Sequence, residues 1–137
     1  MRTALDTNVF SAIWSNESSV PALLRKLDIA RADGAILICP AVFSELLAYP
    51  GATLGYVRAM LEATGVSIDY ALHENVWVEA GNRYALHAAR RRKAKGDSQR
   101  RILTDFLIGA HALIQSERLL TLDPGIYRRN FPELKLL

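Results

Sequence analysis

At 137 residues the chain has the length of one domain, and half of it is hydrophobic while 23% is charged. That composition excludes disorder and leaves enough apolar mass for a sizeable core. The longest apolar stretch, Ala35 to Phe43, is broken by Pro40 and falls far short of the roughly 18 residues of a membrane helix. Asp6 interrupts any signal-peptide core at the start, so no membrane partner and a cytoplasmic location are expected. The lone cysteine, Cys39, excludes an internal disulfide and a multi-cysteine metal site. The net charge is only +3, but residues 90–101 hold seven basic residues and one acid, which leaves the remainder at −3. A mildly acidic body with one concentrated basic segment is built to meet a polyanion locally.

In chain order, Thr3–Leu5 reads as a strand ending at Asp6, and residues 8–14 as a first helical turn. Ser18 and Ser19 before Val20 and Pro21 announce a helix start, with Leu23, Leu24 and Leu27 as its apolar face. Residues 35–39 form a continuous apolar run, the signature of a strand buried on both faces. Pro40 opens a helix through Tyr49, Pro50–Gly51 turns, a helix over 53–63 ends near Gly65, and residues 66–69 read as a strand. The longest helix is predicted over 73–93, with Trp77, Ala80, Tyr84 and Ala88 facing inward as core. After a loop at Gly96–Ser98 come an apolar helix over 101–116, a strand over 118–122 ending at Asp123, a turn at Pro124–Gly125, and a last edge strand over 133–137. Strands alternating with helices imply one α/β domain, 1–137, with a mainly parallel sheet. Such sheets bind ligands beyond the carboxyl ends of their strands.

Three acids fall at that edge, and a fourth, Asp105, joins them if its helix points its N-terminus the same way. Asp6 and Asp123 directly follow strands, Glu45 lies in the first turns of the helix after the second strand, and Asp105 begins the helix after the basic loop. Each sits among apolar neighbours, and none of Glu45, Asp105 and Asp123 has a Lys or Arg within two residues. Singly, each reads equally well as a cap or turn residue. Together within about 5 Å they would repel by roughly 3 kcal/mol per pair at an effective dielectric of ~20. Six such pairs approach ~20 kcal/mol, more than the ~5–15 kcal/mol stability of a domain. A cluster of that kind must take up protons or bind a cation. All-oxygen anionic ligands select hard divalent ions, Mg²⁺ with Mn²⁺ as a possible substitute.

Four segments carry a family resemblance: Ala4-Leu-Asp6-Thr-Asn8-Val-Phe, Ala41-Val-Phe-Ser-Glu45-Leu, Thr104-Asp105-Phe-Leu-Ile-Gly-Ala-His-Ala112, and Leu120-Thr-Leu-Asp123-Pro-Gly-Ile-Tyr-Arg-Arg followed by Phe131-Pro. In order and spacing the chain resembles the PIN-domain ribonucleases, and most of all the VapC toxins of VapBC toxin–antitoxin pairs. The resemblance implies a three-layer α/β/α sandwich and Mg²⁺-dependent cleavage of RNA phosphodiesters. Its acidic quartet maps onto Asp6, Glu45, Asp105 and Asp123, as catalytic residues and metal ligands. Thr7, Asn8 and Thr121 would orient those carboxylates. It further implies a homodimer and a cognate antitoxin that holds the enzyme inactive. Arg92, Lys93, Lys95, Arg100 and Arg101 are the candidate RNA contacts; the plainer reading of such a run is a solvated helix end.

Competing readings fit less well. A haloacid-dehalogenase-type phosphatase wants a second Asp two residues after the first, where this chain has Asn8. A response-regulator receiver wants a Lys after its last strand, where this chain has Asp123 and no Lys nearby. A non-catalytic module of the same fold, binding RNA or a partner protein, is the alternative from another class. His73, His87 and His111 lack metal-ligand spacing and read as structural or surface residues, and Cys39 as a small core residue.

Overall fold

The computed structural model describes residues 1–94 and 102–137. Lys95, Arg100 and Arg101 among the candidate RNA contacts, and the loop at Gly96–Ser98, lie outside the described residues. Four strands, β1 (Arg2–Leu5), β2 (Ala35–Ile38), β3 (Val66–Ile68) and β4 (Arg118–Leu120), form one sheet in the order β3-β2-β1-β4. Every pairing is parallel, with Ala4 opposite Leu37 and Leu119, and Leu37 opposite Ser67. Apart from Arg2 and Ala35 at their starts, β1 and β2 are buried along their length. This is the burial expected of strands covered on both faces.

The helices are α1 (Thr7–Trp14), α2 (Val20–Asp33), α3 (Pro40–Leu47), α4 (Leu54–Thr64), α5 (Glu74–Lys93), α6 (Leu103–Gln115) and α7 (Pro124–Asn130). From β1 the chain steps to β2 and β3 on one side, then returns to place β4 on the other side of β1. With right-handed crossovers, that reversal puts α1, α2 and α4 on one face of the sheet and the α5–α6 pair on the other. The result is the three-layer α/β/α arrangement expected from the sequence. The reversal also makes the gap between the ends of β1 and β4 a topological switch point, the place where open parallel sheets hold ligands.

Local chemistry explains the boundaries. Asp6 caps α1, its carboxylate accepting from the Thr7 amide. Pro21, Pro40 and Pro124 stand at helix starts, where a missing N–H costs nothing. Thr53 caps α4 by accepting from the Tyr56 amide, and Gly65 ends that helix at φ +68°, a left-handed conformation that suits glycine.

Two expectations at the C-terminus fail. Pro124–Gly125 does not simply turn: it opens α7, because proline at the first helical position is preorganised for a helix. Residues 133–137 do not form an edge strand. They contribute one parallel bridge, Leu119 to Leu136, flanked by hydrogen bonds from the Leu119 amide to the Lys135 carbonyl and from the Leu137 amide to the Leu119 carbonyl. Arg83 reaches from α5 to hold this tail: it donates to both carboxylate oxygens of Glu133 at 2.9 Å and to the Asn130 carbonyl at 2.8 Å, and its guanidinium lies 4.7 Å from the centre of the Phe131 ring. The Arg83 guanidinium holds the Glu133 carboxyl down at about 2.

Phe131 is the hinge pin of this corner. Its ring meets Phe106 of α6 and Tyr127 of α7 at centroid distances of 6.1 and 6.3 Å. Gly109, one turn beyond Asp105, makes room for it: a Cβ there would stand 2.4 Å from the Phe131 ring. Gly109→Ala is therefore expected to force α7 away from α6 and to lower unfolding stability by roughly 1–3 kcal/mol, read from urea denaturation. A variant as stable as the parent would mean the ring yields freely.

Candidate active site

Parallel register brings the carboxyl ends of β1, β2 and β4 to one edge. Asp6 follows β1, Glu45 lies in the second turn of α3 after β2, and Asp123 follows β4. Only two residues separate the end of α6 from the start of β4. Gln115 is thus at the amino edge of the sheet, and Asp105, in the first turn of α6, is at the carboxyl edge with the others.

Asp6 is the centre of this edge and is only 6% exposed. Its backbone amide donates to the Leu120 carbonyl at 3.0 Å, which stitches the end of β1 to the end of β4. Its Oδ1 accepts from the Thr7 amide at 2.7 Å. Its Oδ2 accepts from Thr121 Oγ1 at 2.7 Å, from the Tyr127 hydroxyl at 3.0 Å and from Asn8 Nδ2 at 3.2 Å. Asn8 Nδ2 also reaches Thr121 Oγ1, while Asn8 Oδ1 accepts from the Leu122 amide at 3.0 Å. Thr121 Oγ1 in turn accepts from the Asp123 amide at 3.1 Å. Thr7, expected to orient a carboxylate, donates its hydroxyl to Glu45. Each hydroxyl or amide residue singled out from the sequence thus contacts one of the four acids.

Burial dominates the electrostatics. It pushes the Asp6 carboxyl above its usual range, against the pull of its hydrogen bonds, and the charge of Asp123 adds to the rise. Glu45 is also raised, by burial first and by Asp6 as well. The Tyr127 hydroxyl is raised far beyond the ordinary phenol range by burial and by the charges of Asp6, Asp105 and Glu45. All four acids therefore bear on one small region. Among the described residues no arginine or lysine pairs with Asp6 or Glu45. Asp123 stands at the start of α7 without spending its carboxylate on capping that helix.

Among the described residues no three of His, Cys, Asp or Glu form a ready-made metal cage. The donor set nevertheless fits a hard divalent cation, which keeps several waters and needs only one or two carboxylates from the protein. The carboxylates of Asp6 and Glu45, with raised proton affinity and no basic partner among the described residues, are groups such an ion would neutralise.

Beside Glu45 runs a groove of about 490 Å³ lined by Pro40, Ala41, Ser44, Leu72, Trp77, Thr104 and Leu107. Trp77 was expected in the core. It is 55% exposed instead, because Val76 and Ala80 supply the inward face of that part of α5. Tyr84, half-buried against Phe106, does pack inward. His111 is fully buried, and its Nε2 lies 3.1 Å from Asp69, to which Gln115 also donates. Cys39 is buried too, its thiol pushed up to about 11. Arg92 and Lys93 end α5, both exposed. Tyr127 is the residue sequence reasoning missed; its signal was its place in the first helical turns after Asp123-Pro124.

The family model for the PIN domain matches residues 3–132. Among curated proteins, none matches the chain. Among solved structures, VapBC2 from Rickettsia felis bound to a DNA fragment from its promoter is similar, with a TM-score of 0.66 at 19% identity, over 100% of this chain and 98% of that one. VapBC-1 from nontypeable Haemophilus influenzae matches with a TM-score of 0.64 at 16% identity, over 100% and 97%. DNA-bound VapBC from Salmonella typhimurium gives 0.63 at 16%, over the same shares. At these identities the likeness is one of fold.

Raised carboxyls have a definite effect on stability. The folded state binds the proton of Glu45 more tightly than the unfolded chain does, so this group's contribution falls as pH rises from the free-carboxyl range through its raised folded value. Glu45→Gln removes that loss and keeps an acceptor for Thr7. Without divalent ions, the urea midpoint of Glu45→Gln should gain on the parent's between about pH 4 and pH 8. A constant difference across that window would show an unperturbed carboxyl.

Proposed function

This chain belongs to the PIN domain family, and on that premise we propose that it is a metal-dependent ribonuclease, the toxin of a toxin–antitoxin pair. The observation that carries the reading is the convergence of Asp6, Glu45, Asp105 and Asp123 on the switch-point edge, with Asp6 and Glu45 held above their ordinary proton affinity. Asp6 and Asp105 would hold a Mg²⁺ ion, or Mn²⁺ in its place, with Glu45 and Asp123 contributing to the same ion, its waters or a second one. A hard divalent ion bound there lowers the pKa of a coordinated water and neutralises charge on a phosphoryl oxygen. Glu45 is suited to take a proton from an attacking water, since burial brings its affinity nearer neutral pH. Thr7 keeps that carboxylate aimed. Asn8 and Thr121 hold Asp6 and the backbone that leads to Asp123.

The substrate is RNA in this reading, drawn in by the basic end of α5. The structural neighbours are VapBC assemblies, which supports a cognate antitoxin as partner; a homodimer in the cytoplasm completes the proposal. An apolar cleft of about 200 Å³ between α1, α2 and α4, lined by Leu5, Val9, Phe10, Ile13, Leu24 and Leu27 among others, is a surface that would welcome such a partner. Among the described residues no helix is long and apolar enough to cross a membrane.

Asp105→Asn tests the chemistry. The purified protein, freed of any partner, should cleave RNA with Mg²⁺ and stop on addition of EDTA, and Asp105→Asn should abolish cleavage with thermal stability unchanged or raised. RNA binding without cleavage under any divalent ion would instead identify a non-catalytic module. Wild-type cleavage by the variant would remove Asp105 from the site.

Arg92 and Lys93 test the grip. If each meets one phosphate, neutralising both should reduce the slope of log affinity against log salt by about 1.4, from roughly 0.7 per phosphate on single strands. An unchanged slope would leave them as solvated residues at a helix end.

A further inference from the structure

Tyr127 lies in the motif around Asp123 but is none of its acids or their assigned neighbours, yet among the described residues it is the largest fully buried side chain and its hydroxyl is spent on Asp6. The two oxygens of that carboxylate are treated unequally. A carboxylate offers about four lone-pair directions over its two oxygens. Oδ2 accepts from Thr121, Tyr127 and Asn8, which fills it. Among the described residues Oδ1 accepts from the Thr7 amide alone, which leaves it a direction for another partner. The three donors to Oδ2 come from three elements: Asn8 from α1, Thr121 from the end of β4 and Tyr127 from α7. Asn8 and Thr121 also bond each other, and the Tyr127 ring lies against Phe131.

We propose that Tyr127 is a positioning residue that, with Thr121 and Asn8, pins Oδ2 of Asp6 so that the carboxylate presents Oδ1 alone to a hard divalent cation. The inference rests on the metal-dependent reading above and adds to it which atom binds and what holds it. Loss of the phenol hydroxyl would free the carboxylate to rotate and leave Oδ2 under-satisfied, so it would bind the ion in more than one way and less tightly. Groups that orient a metal ligand in this manner alter affinity by about 10- to 100-fold when removed. Tyr127 touches Asp6 and is placed against neither substrate nor reacting atoms, so its effect runs through the ligand.

The test uses the full-length protein and Mn²⁺ alone, with binding followed by electron paramagnetic resonance or calorimetry and no RNA present. Tyr127→Phe keeps the ring and deletes the hydroxyl; its Mn²⁺ dissociation constant should rise by about 10-fold or more while the circular dichroism spectrum is retained. Tyr84→Phe, which alters a phenol whose ring packs on Phe106 and which is not among the donors to Asp6, should bind Mn²⁺ like the parent. A purely structural role for Tyr127 would lower the melting temperature and leave Mn²⁺ affinity alone, and that result overturns the proposal. Should Tyr127→Phe fail to fold, Thr121→Val removes another donor to the same oxygen, and unchanged Mn²⁺ affinity there overturns it equally. Asp6→Asn separates the two levels. If it abolishes Mn²⁺ binding while Tyr127→Phe does not weaken it, only the positioning role falls. If Asp6→Asn binds Mn²⁺ as the parent does, the metal-site reading and the inference fall together.

Discussion

The carboxylate of Asp6, buried at the end of the central strand, is the constraint around which the rest of the edge is arranged. A buried carboxylate is costly unless hydrogen-bonded. Here it is met by one amide, two hydroxyls and one side-chain amide. Those donors come from α1, from the residue after β4 and from α7, so satisfying one side chain ties three parts of the chain to the end of β1. The Asp6 backbone amide does the same for the β1–β4 seam through Leu120. Even so, desolvation outweighs the hydrogen bonds and the proton affinity stays raised. The network shapes the site without neutralising it, and that residual cost is what a cation can relieve.

The same logic extends outward through α7. Tyr127 can reach Asp6 only if α7 lies close against α6, and Phe131 with Gly109 sets that distance. Arg83 then fastens the far end of α7 to α5 through Glu133 and the Asn130 carbonyl. The α5–α6 pair carries Asp105, the groove beside Glu45 and the described part of the basic segment. A short helix after β4 thus couples the geometry of Asp6 to the placement of the helix that bears Asp105.

Much of this was legible in the residues. Apolar runs ending in acids, prolines at helix starts and the alternation of strands with helices set out the parallel sheet and its functional edge, and four spaced motifs pointed to the family. What escaped were features set by tertiary contacts. Trp77 has helical spacing from Ala80 and Tyr84, but the inward face of α5 at that level is narrow and filled by Val76 and Ala80, so the indole turns outward beside Glu45. The apolar alternation at 133–137 looks like a strand, yet Arg83 anchors Glu133 across α7 and only Leu136 reaches the sheet register. Tyr127 stands in the segment after Asp123, but its part as a donor to Asp6 was not legible, because 121 positions of sequence separate the two and only the fold brings the phenol to that carboxylate.

The charge distribution acquires a structural meaning from this edge. Asp6 and Glu45 gather negative charge where water is scarce, while Arg90, Arg91, Arg92 and Lys93 crowd the last turn of α5, where the helix dipole favours cations. The chain leaves α5 there and returns as α6, whose first turn holds Asp105. The described cations of the segment are thereby gathered at the end of one helix, while Asp6 and Glu45 stand at the carboxyl edge of the sheet. A net charge of +3 thus conceals two opposed features, a basic helix end and a set of acids after the strands.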